Sequence, residues 1–131
     1  MKIDKTILDE LTAKAKASER LRMNLDMRTS SNDTSQRMLN AVELGTIVPI
    51  HRHCFTAETV IIVRGKVKEI FYDDNGNVTE EVLMEVGGEC PMVQIPAGMW
   101  HTIEALESGS VIFEAKDGAF APLSEEDIMK K

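Results

Sequence analysis

Histidine occurs three times in this 131-residue chain, at His51, His53 and His101. The first two sit in the run Gly45-Thr-Ile-Val-Pro-Ile-His51-Arg-His53-Cys-Phe-Thr-Ala-Glu58, which continues through the apolar Val60-Ile-Ile-Val63 to Gly65. On an extended segment, residues two apart share a face, so His51 and His53 present their imidazoles together while Arg52 and Cys54 point away. His101 comes much later, after Pro96-Ala-Gly98. Neutral imidazole is the commonest metal ligand, and a carboxylate adds the negative charge that favours a divalent ion. His51, His53, Glu58 and His101 are therefore candidate ligands for one divalent transition metal per chain. In an octahedral shell, four protein ligands leave positions open to water or a small molecule, as Lewis-acid or oxygen-activating chemistry needs. Fe, Mn, Ni, Co, Zn and Cu all suit such a donor set, because raw affinity does not fix the metal.

Gly45, His51-x-His53, Glu58 and Gly65 resemble the first signature motif of the cupin superfamily at every fixed position, and Pro96-x-Gly98-x-x-His101 resembles the centre of the second. Two positions of the second motif differ: Cys90 stands where a leading Gly is expected, and Ala105 where a trailing Asn is expected. More narrowly, Gln36-Arg-Met-Leu-Asn40-Ala, His51-Arg-His53 and Ile95-Pro-Ala-Gly-Met-Trp-His101-Thr-Ile-Glu resemble the WbuC-type cupin-fold metalloproteins over most of the chain. The resemblance implies an all-β, single-domain cupin double-stranded β-helix, an RmlC-like jelly-roll barrel with an N-terminal helical extension, the metal inside the barrel, and a homodimer. WbuC-type proteins are associated with surface-polysaccharide biosynthesis, which implies a sugar-related small-molecule ligand. The resemblance implies no settled reaction. A metal-dependent oxygenase, isomerase or lyase, a non-catalytic binding or sensing module, and a structural dimeric cupin all remain open.

Several other residues are candidates for contact with a ligand. Asn40 shares strand parity with Met38 and Val42, and either reaches a ligand from the barrel wall or pairs with backbone at a strand edge. Arg37 suits a substrate carboxylate or phosphate, or a solvated face. Gln94 is a polar residue inside an apolar strand, and Met99 has the parity of His101 and is expected to face the pocket. Trp100 is expected to point away from the metal, toward core or an interface. Arg52 is expected to pair with an acid or serve an interface, and Arg64 to lie on turn surface. Glu114 is either a general base inside the barrel or part of the solvated face of an alternating strand, and the alternation favours the solvated face.

The elements that must position these residues are short. Ile3, Ile7, Leu8 and Leu11 on one face predict a helix over about 4–17. Leu21, Met23, Leu25 and Met27 alternate with polar residues, as a strand or a short arm, and Thr29-Ser-Ser-Asn-Asp33 is a polar loop. Apolar or alternating runs follow at 36–44, 47–53, 58–64, 66–73, 78–86, 92–95, 100–106 and 110–116. Asn75-Gly76 marks a hairpin, because glycine adopts positive φ freely. Ser124, followed by acids, predicts a helical turn in the tail. The chain thus divides into a helix and arm (1–33), a barrel (34–123) and a tail (124–131).

Composition narrows the partners. A net charge of -7 argues against nucleic acid or an anionic membrane surface, which call for clustered Lys and Arg. No apolar run is long enough for a transmembrane helix. Cys54 and Cys90 do not make a disulfide framework, and the start of the chain lacks a signal-peptide apolar stretch, so a cytoplasmic setting is expected.

Overall fold

The structure, a computed structural model, describes residues 1–130. Its elements run α1 (Lys5–Ala17), β1 (Arg22–Asp26), β2 (Ser35–Val42), β3 (Glu58–Arg64), β4 (Lys66–Tyr72), β5 (Val78–Glu85), β6 (Met92–Ile95), β7 (Trp100–Ala105) and β8 (Ser110–Asp117), with a 3-10 turn at Glu125–Asp127. The strands form two antiparallel sheets, one ordered β1-β2-β8-β3-β6 and the other β5-β4-β7. Among the described residues no helix is long and apolar enough to cross a membrane.

Period-two alternation decides what each sheet buries. On the five-stranded sheet, Val42, Val60, Ile62 and Ile112 face inward and meet Val67, Phe71, Met84 and Ala105 of the other sheet. The intervening residues Leu39, Ala41 and Val111 face outward and form a second core with Leu11 and Ala15 of α1. Met23 and Leu25 of β1 pack against that outer core, and β1 itself is hydrogen-bonded along β2 from Arg22↔Val42 to Asp26↔Met38. The alternating segment 21–27 is therefore a true edge strand, and the apolar stripe of α1 explains why the helix lies on the outer face. Burying a side chain such as Leu11 there contributes about 1.5–3 kcal/mol. Asp4 caps α1 by accepting from the Ile7 N–H at 3.2 Å.

Arg64 is more than turn surface. Its guanidinium donates to Asp9 Oδ1 (2.7 Å), Leu8 O (3.1 Å) and Thr12 Oγ1 (2.9 Å), and its Nε to Gly109 O (2.9 Å), which fastens α1 to the end of the barrel. The hairpin at Asn75-Gly76 is present, with Gly76 at φ +82 and Asp73 accepting from the Asn75 and Asn77 N–H groups.

The run 47–53, expected as a strand, forms no ladder. Only His51 bridges, to His101 on one side and to Ile128 on the other. Pro49 explains part of this, since it has no N–H to give to a ladder. The tail supplies the outer partner: Arg52 N donates to Asp127 O (3.0 Å) and Met129 N to Ile50 O (2.8 Å). Ser124 leads the turn, but its hydroxyl donates to Asp127 Oδ2 instead of capping backbone.

Gly65 turns β3 into β4 at φ +84, and a Cβ there would lie 2.7 Å from Ser110 Cα. Ser110 is fully buried and bonds both the N–H and the C=O of Lys66. Gly65→Ala combines left-handed strain with a backbone clash and is expected to lower stability by about 2–5 kcal/mol. Urea unfolding checks this; a change below about 1 kcal/mol would show that the turn relaxes freely.

Candidate metal centre

The site lies where β3, β7 and the bridged segment around His51 meet. His51 and His101 exchange both backbone hydrogen bonds, N–H of each to C=O of the other, at 3.0 and 2.9 Å. This pairing sets the two imidazoles side by side, with ring centroids 4.3 Å apart. His53 follows on the same face of the extended segment, its ring 5.2 Å from that of His51 and 5.7 Å from that of His101. One ligand atom from each of the three rings falls within 4.8 Å of the others.

Two of the rings have a fixed proton. His51 Nδ1 stands 2.8 Å from Pro49 O and His101 Nδ1 3.0 Å from Met99 O. A carbonyl can only accept, so each Nδ1 carries the hydrogen and each Nε2 keeps its lone pair, the arrangement that neighbouring carbonyls impose on metal-binding imidazoles. Burial, chiefly, with the neighbouring His101 charge, depresses His51 to about 4, and burial lowers His101 as well. Both are thus neutral at neutral pH and able to coordinate.

Glu58 completes the cluster. It is 4% exposed, and its Oε2 lies 3.0 Å from His53 Nε2 and 3.7 Å from His101 Nε2. Despite that closeness no donor reaches Oε2 in hydrogen-bond geometry, so a buried carboxylate oxygen faces two ring nitrogens unsatisfied. Burial opposes ionisation of Glu58, but His53 and Glu114 against it and the charges of His101 and Lys116 outweigh that effect and hold it below the ordinary carboxylate range. Lys116, opposite Glu58 in register, brings its Nζ to 3.4 and 3.5 Å from the two ring nitrogens of His53. Three imidazoles and an orphaned carboxylate oxygen aimed at one another fit a divalent cation, the one partner that would satisfy all of them.

The site opens on a cavity of about 160 Å³ walled by His51, His101 and Glu58, with Asn40, Glu69, Glu114 and Arg22 as its other polar groups and Val42, Val48, Val60, Ile103 and Ile112 as its apolar ones. Asn40 takes its cavity-facing alternative: its amide donates to Glu114 Oε1 at 2.7 Å. Glu114 is in the cavity wall, not on the solvated face that alternation suggested. The reason is that β8 buries both faces, one under the outer core and one in the barrel, so alternation along it separates two interiors. Burial and the adjacent Glu58 charge raise Glu114 to about 8. Glu69 of β4 is 2% exposed, and burial with the Glu58 and Glu114 charges pushes it well above the usual range. Its signal in the sequence was its parity with Val67 and Phe71, both core residues.

The other candidates lie outside the cavity. Arg37 pairs with Asp33 at 3.1 Å and donates to Ser35 O and Met27 O. Gln94 accepts from Thr59 Oγ1 at 2.6 Å and is exposed. Met99 packs its side chain on the inner core, while its carbonyl orients His101. Arg52 ion-pairs with Asp127 (3.1 Å) and lies 4.4 Å from the ring centroid of Trp100, whose Nε1 donates to Asp74. Trp100 is buried on the side away from the cluster, as parity requires.

Over residues 3–84 the sequence matches the family described as a domain of unknown function (DUF6016). No curated protein sequence matches the chain. Among solved structures it is similar to CapF, a capsular polysaccharide assembling protein from Staphylococcus aureus, at 24% identity and a TM-score of 0.67, over 80% of this chain and 30% of that one. It is similar to KdgF from Halomonas sp. at 12% identity and 0.59, over 74% and 80%, and to the Bacillus subtilis oxalate decarboxylase OxdC at 22% and 0.58, over 76% and 26%. The chain thus spans under a third of the length of the CapF and OxdC chains. These are cupin-fold proteins, and the two-sheet jelly roll described above is the same fold.

Acidity of the cavity gives a pH signature for metal-free protein. A carboxyl raised from its unfolded value to about 8 holds its proton in the folded state across a range where the unfolded chain has lost it. His51 and His101, lowered by burial, oppose this fall only weakly, because unfolded imidazoles with a pKa of about 6.5 lose nearly all their protons by about pH 7.5. Stability in chelator is therefore expected to fall from pH 6.5 to 8 by about 1.4 kcal/mol per pH unit for each such proton, with Glu114→Gln flattening the slope. Urea midpoints at the two pH values check it, and a rise in stability over this interval would contradict a protonated Glu114.

Proposed function

This chain belongs to the family described as a domain of unknown function (DUF6016), and we propose that it is a mononuclear divalent-metal cupin whose His51, His53, His101 and Glu58 hold the ion and whose remaining coordination positions take a small polar molecule. The observation that carries this reading is the orphaned, buried Glu58 Oε2 facing His53 and His101 within a cluster of three imidazoles. When bound, a metal of this kind supplies Lewis acidity or oxygen activation. The residues do the rest: Pro49 and Met99 carbonyls fix the ligand rings, Asn40 holds Glu114 beside Glu58, and the apolar wall limits water.

Glu114 and Glu69 in the same cavity favour an enzyme over a passive binding module. Carboxyl groups kept protonated by burial are suited to giving and recovering a proton, as isomerase or lyase chemistry needs. The motif residues shared with WbuC-type cupins, together with the likeness to a capsular polysaccharide assembling protein, support a sugar-related ligand in a surface-polysaccharide context. The cytoplasm is the setting we propose, with 34–123 as the site-bearing unit.

Elemental analysis of untagged protein is expected to find about one divalent transition metal per chain, and the His51→Ala/His101→Ala double variant to find almost none. Full occupancy in the double variant would sink the assignment. A homodimer is also proposed, supported by exposed Leu83, Val86 and Met92 at or beside the edge strands β5 and β6. Sedimentation at micromolar concentration is expected to give twice the chain mass; a monomer would remove this part.

A further inference from the structure

Glu69 is the one cavity carboxyl for which the protein provides nothing. Glu58 faces the histidines and Glu114 accepts from Asn40, but among the described residues no hydrogen bond or ion pair reaches the Glu69 side chain. It comes from the three-stranded sheet, so it faces the cavity from the wall opposite Glu58, Asn40 and Glu114. Its surroundings are apolar. Val67 and Phe71 flank it on the same face of β4, and its register partners are Val82 and Ile103. A leucine or methionine would fill such a place without the cost of burying an unpaired polar group. A carboxyl kept there is explained by a partner that arrives from outside the protein.

The cavity defines that partner. About 160 Å³ is close to the volume of an engineered protein cavity that holds benzene, so the enclosed part of a ligand has about six non-hydrogen atoms. The walls hold the cation Arg22 and the residues proposed to hold a divalent ion, which together favour a single negative charge on the ligand, while a buried carboxylic acid calls for an oxygen acceptor. We propose that Glu69 is a ligand-contacting residue whose carboxyl hydrogen-bonds an oxygen of a small hydroxy- or oxo-acid lodged between it and the histidine cluster. The proposal rests on the metal-centre reading above and adds the class of molecule and the residue that selects it. A strongly raised acid at Glu69 is consistent with a donor role, since only the protonated carboxyl can give a hydrogen bond.

Glycolate is the probe, titrated by calorimetry into zinc-loaded wild type, Glu69→Gln and Glu69→Leu, with zinc content measured on each sample. Wild type is expected to bind glycolate, Glu69→Gln to stay within about threefold because its amide still donates, and Glu69→Leu to weaken binding by about tenfold or more. Zinc content is expected to be equal in all three. Metal-free Glu69→Leu is expected to melt a few degrees higher than wild type, because an unpaired buried carboxyl has been replaced by a packed apolar side chain. A merely structural glutamate would lower the melting temperature instead. Unchanged glycolate affinity in Glu69→Leu, loss of zinc from it, a lower melting temperature or failure to fold, or no glycolate binding by zinc-loaded wild type each overturns the proposal. Wild type that takes up no zinc overturns the metal-centre reading first, and this inference with it.

Discussion

The reciprocal backbone bonds between His51 and His101 set the geometry on which this site depends. That bridge registers the His51–His53 segment against β7, with Gly98 N donating to His53 O at 2.8 Å and Thr102 Oγ1 to Val48 O at 2.5 Å on either side of it. A two-bond bridge alone is weak, and the structure reinforces it from the solvent side. The tail contributes a second bridge at Ile128, backbone bonds at Asp127 and Met129, and the Arg52–Asp127 ion pair. Arg52, lying over Trp100, then ties the intervening residue of the His-x-His run to the strand that carries His101. The residue between the two histidines therefore works on the outer side to hold what its neighbours present on the inner one.

Inside, the governing constraint is charge. A low-dielectric cavity accommodates three carboxyl groups only if they are not all ionised. Their surroundings divide them: Glu58 lies against the imidazoles and near Lys116, and is held ionised; Glu114 contacts that charge and is pushed the other way; Glu69, among apolar residues and facing both charges, is raised as well. One anion placed against the histidine face and neutral acids around it is a consequence of where β3, β4 and β8 set their inward residues. It also leaves a divalent ion as the natural counter-charge for a carboxylate that Lys116 only partly offsets.

The grouping of the three histidines and the jelly roll were legible in the sequence, and the reasons are local. Parity separates His51 and His53 from Arg52 whether or not the segment is laddered, since extended backbone alone alternates side chains. Strand limits followed the turn residues closely, as at Gly65 and Asn75-Gly76. The polar cavity wall was harder to read. Glu114 alternates with apolar neighbours in a way that suggests a solvated face, but the outer face of its strand is covered by α1 and β1, which only the tertiary arrangement reveals. Arg37 and Gln94 are polar residues in apolar strands, like Asn40, yet only Asn40 has the inward parity of Val42 in the cavity wall. Parity applied to every polar residue, and not only to the histidines, would also have singled out Glu69 beside Val67 and Phe71.

The two cores explain how the barrel can carry such a cavity. Polar groups in the centre reduce the apolar area that the inner faces can bury, and the outer core of α1, β1 and the back of β2 and β8 supplies burial elsewhere. Arg64 joins the two systems, since it leaves β3 just before Gly65 and ends on α1. The N-terminal segment is thus part of what permits the site, although it contributes only Arg22 to the cavity wall. An outer layer that stabilises the sheet from behind lets the inner layer keep one unpaired acid, Glu69, and the orphaned Glu58 Oε2, which are unfavourable for folding and useful for chemistry.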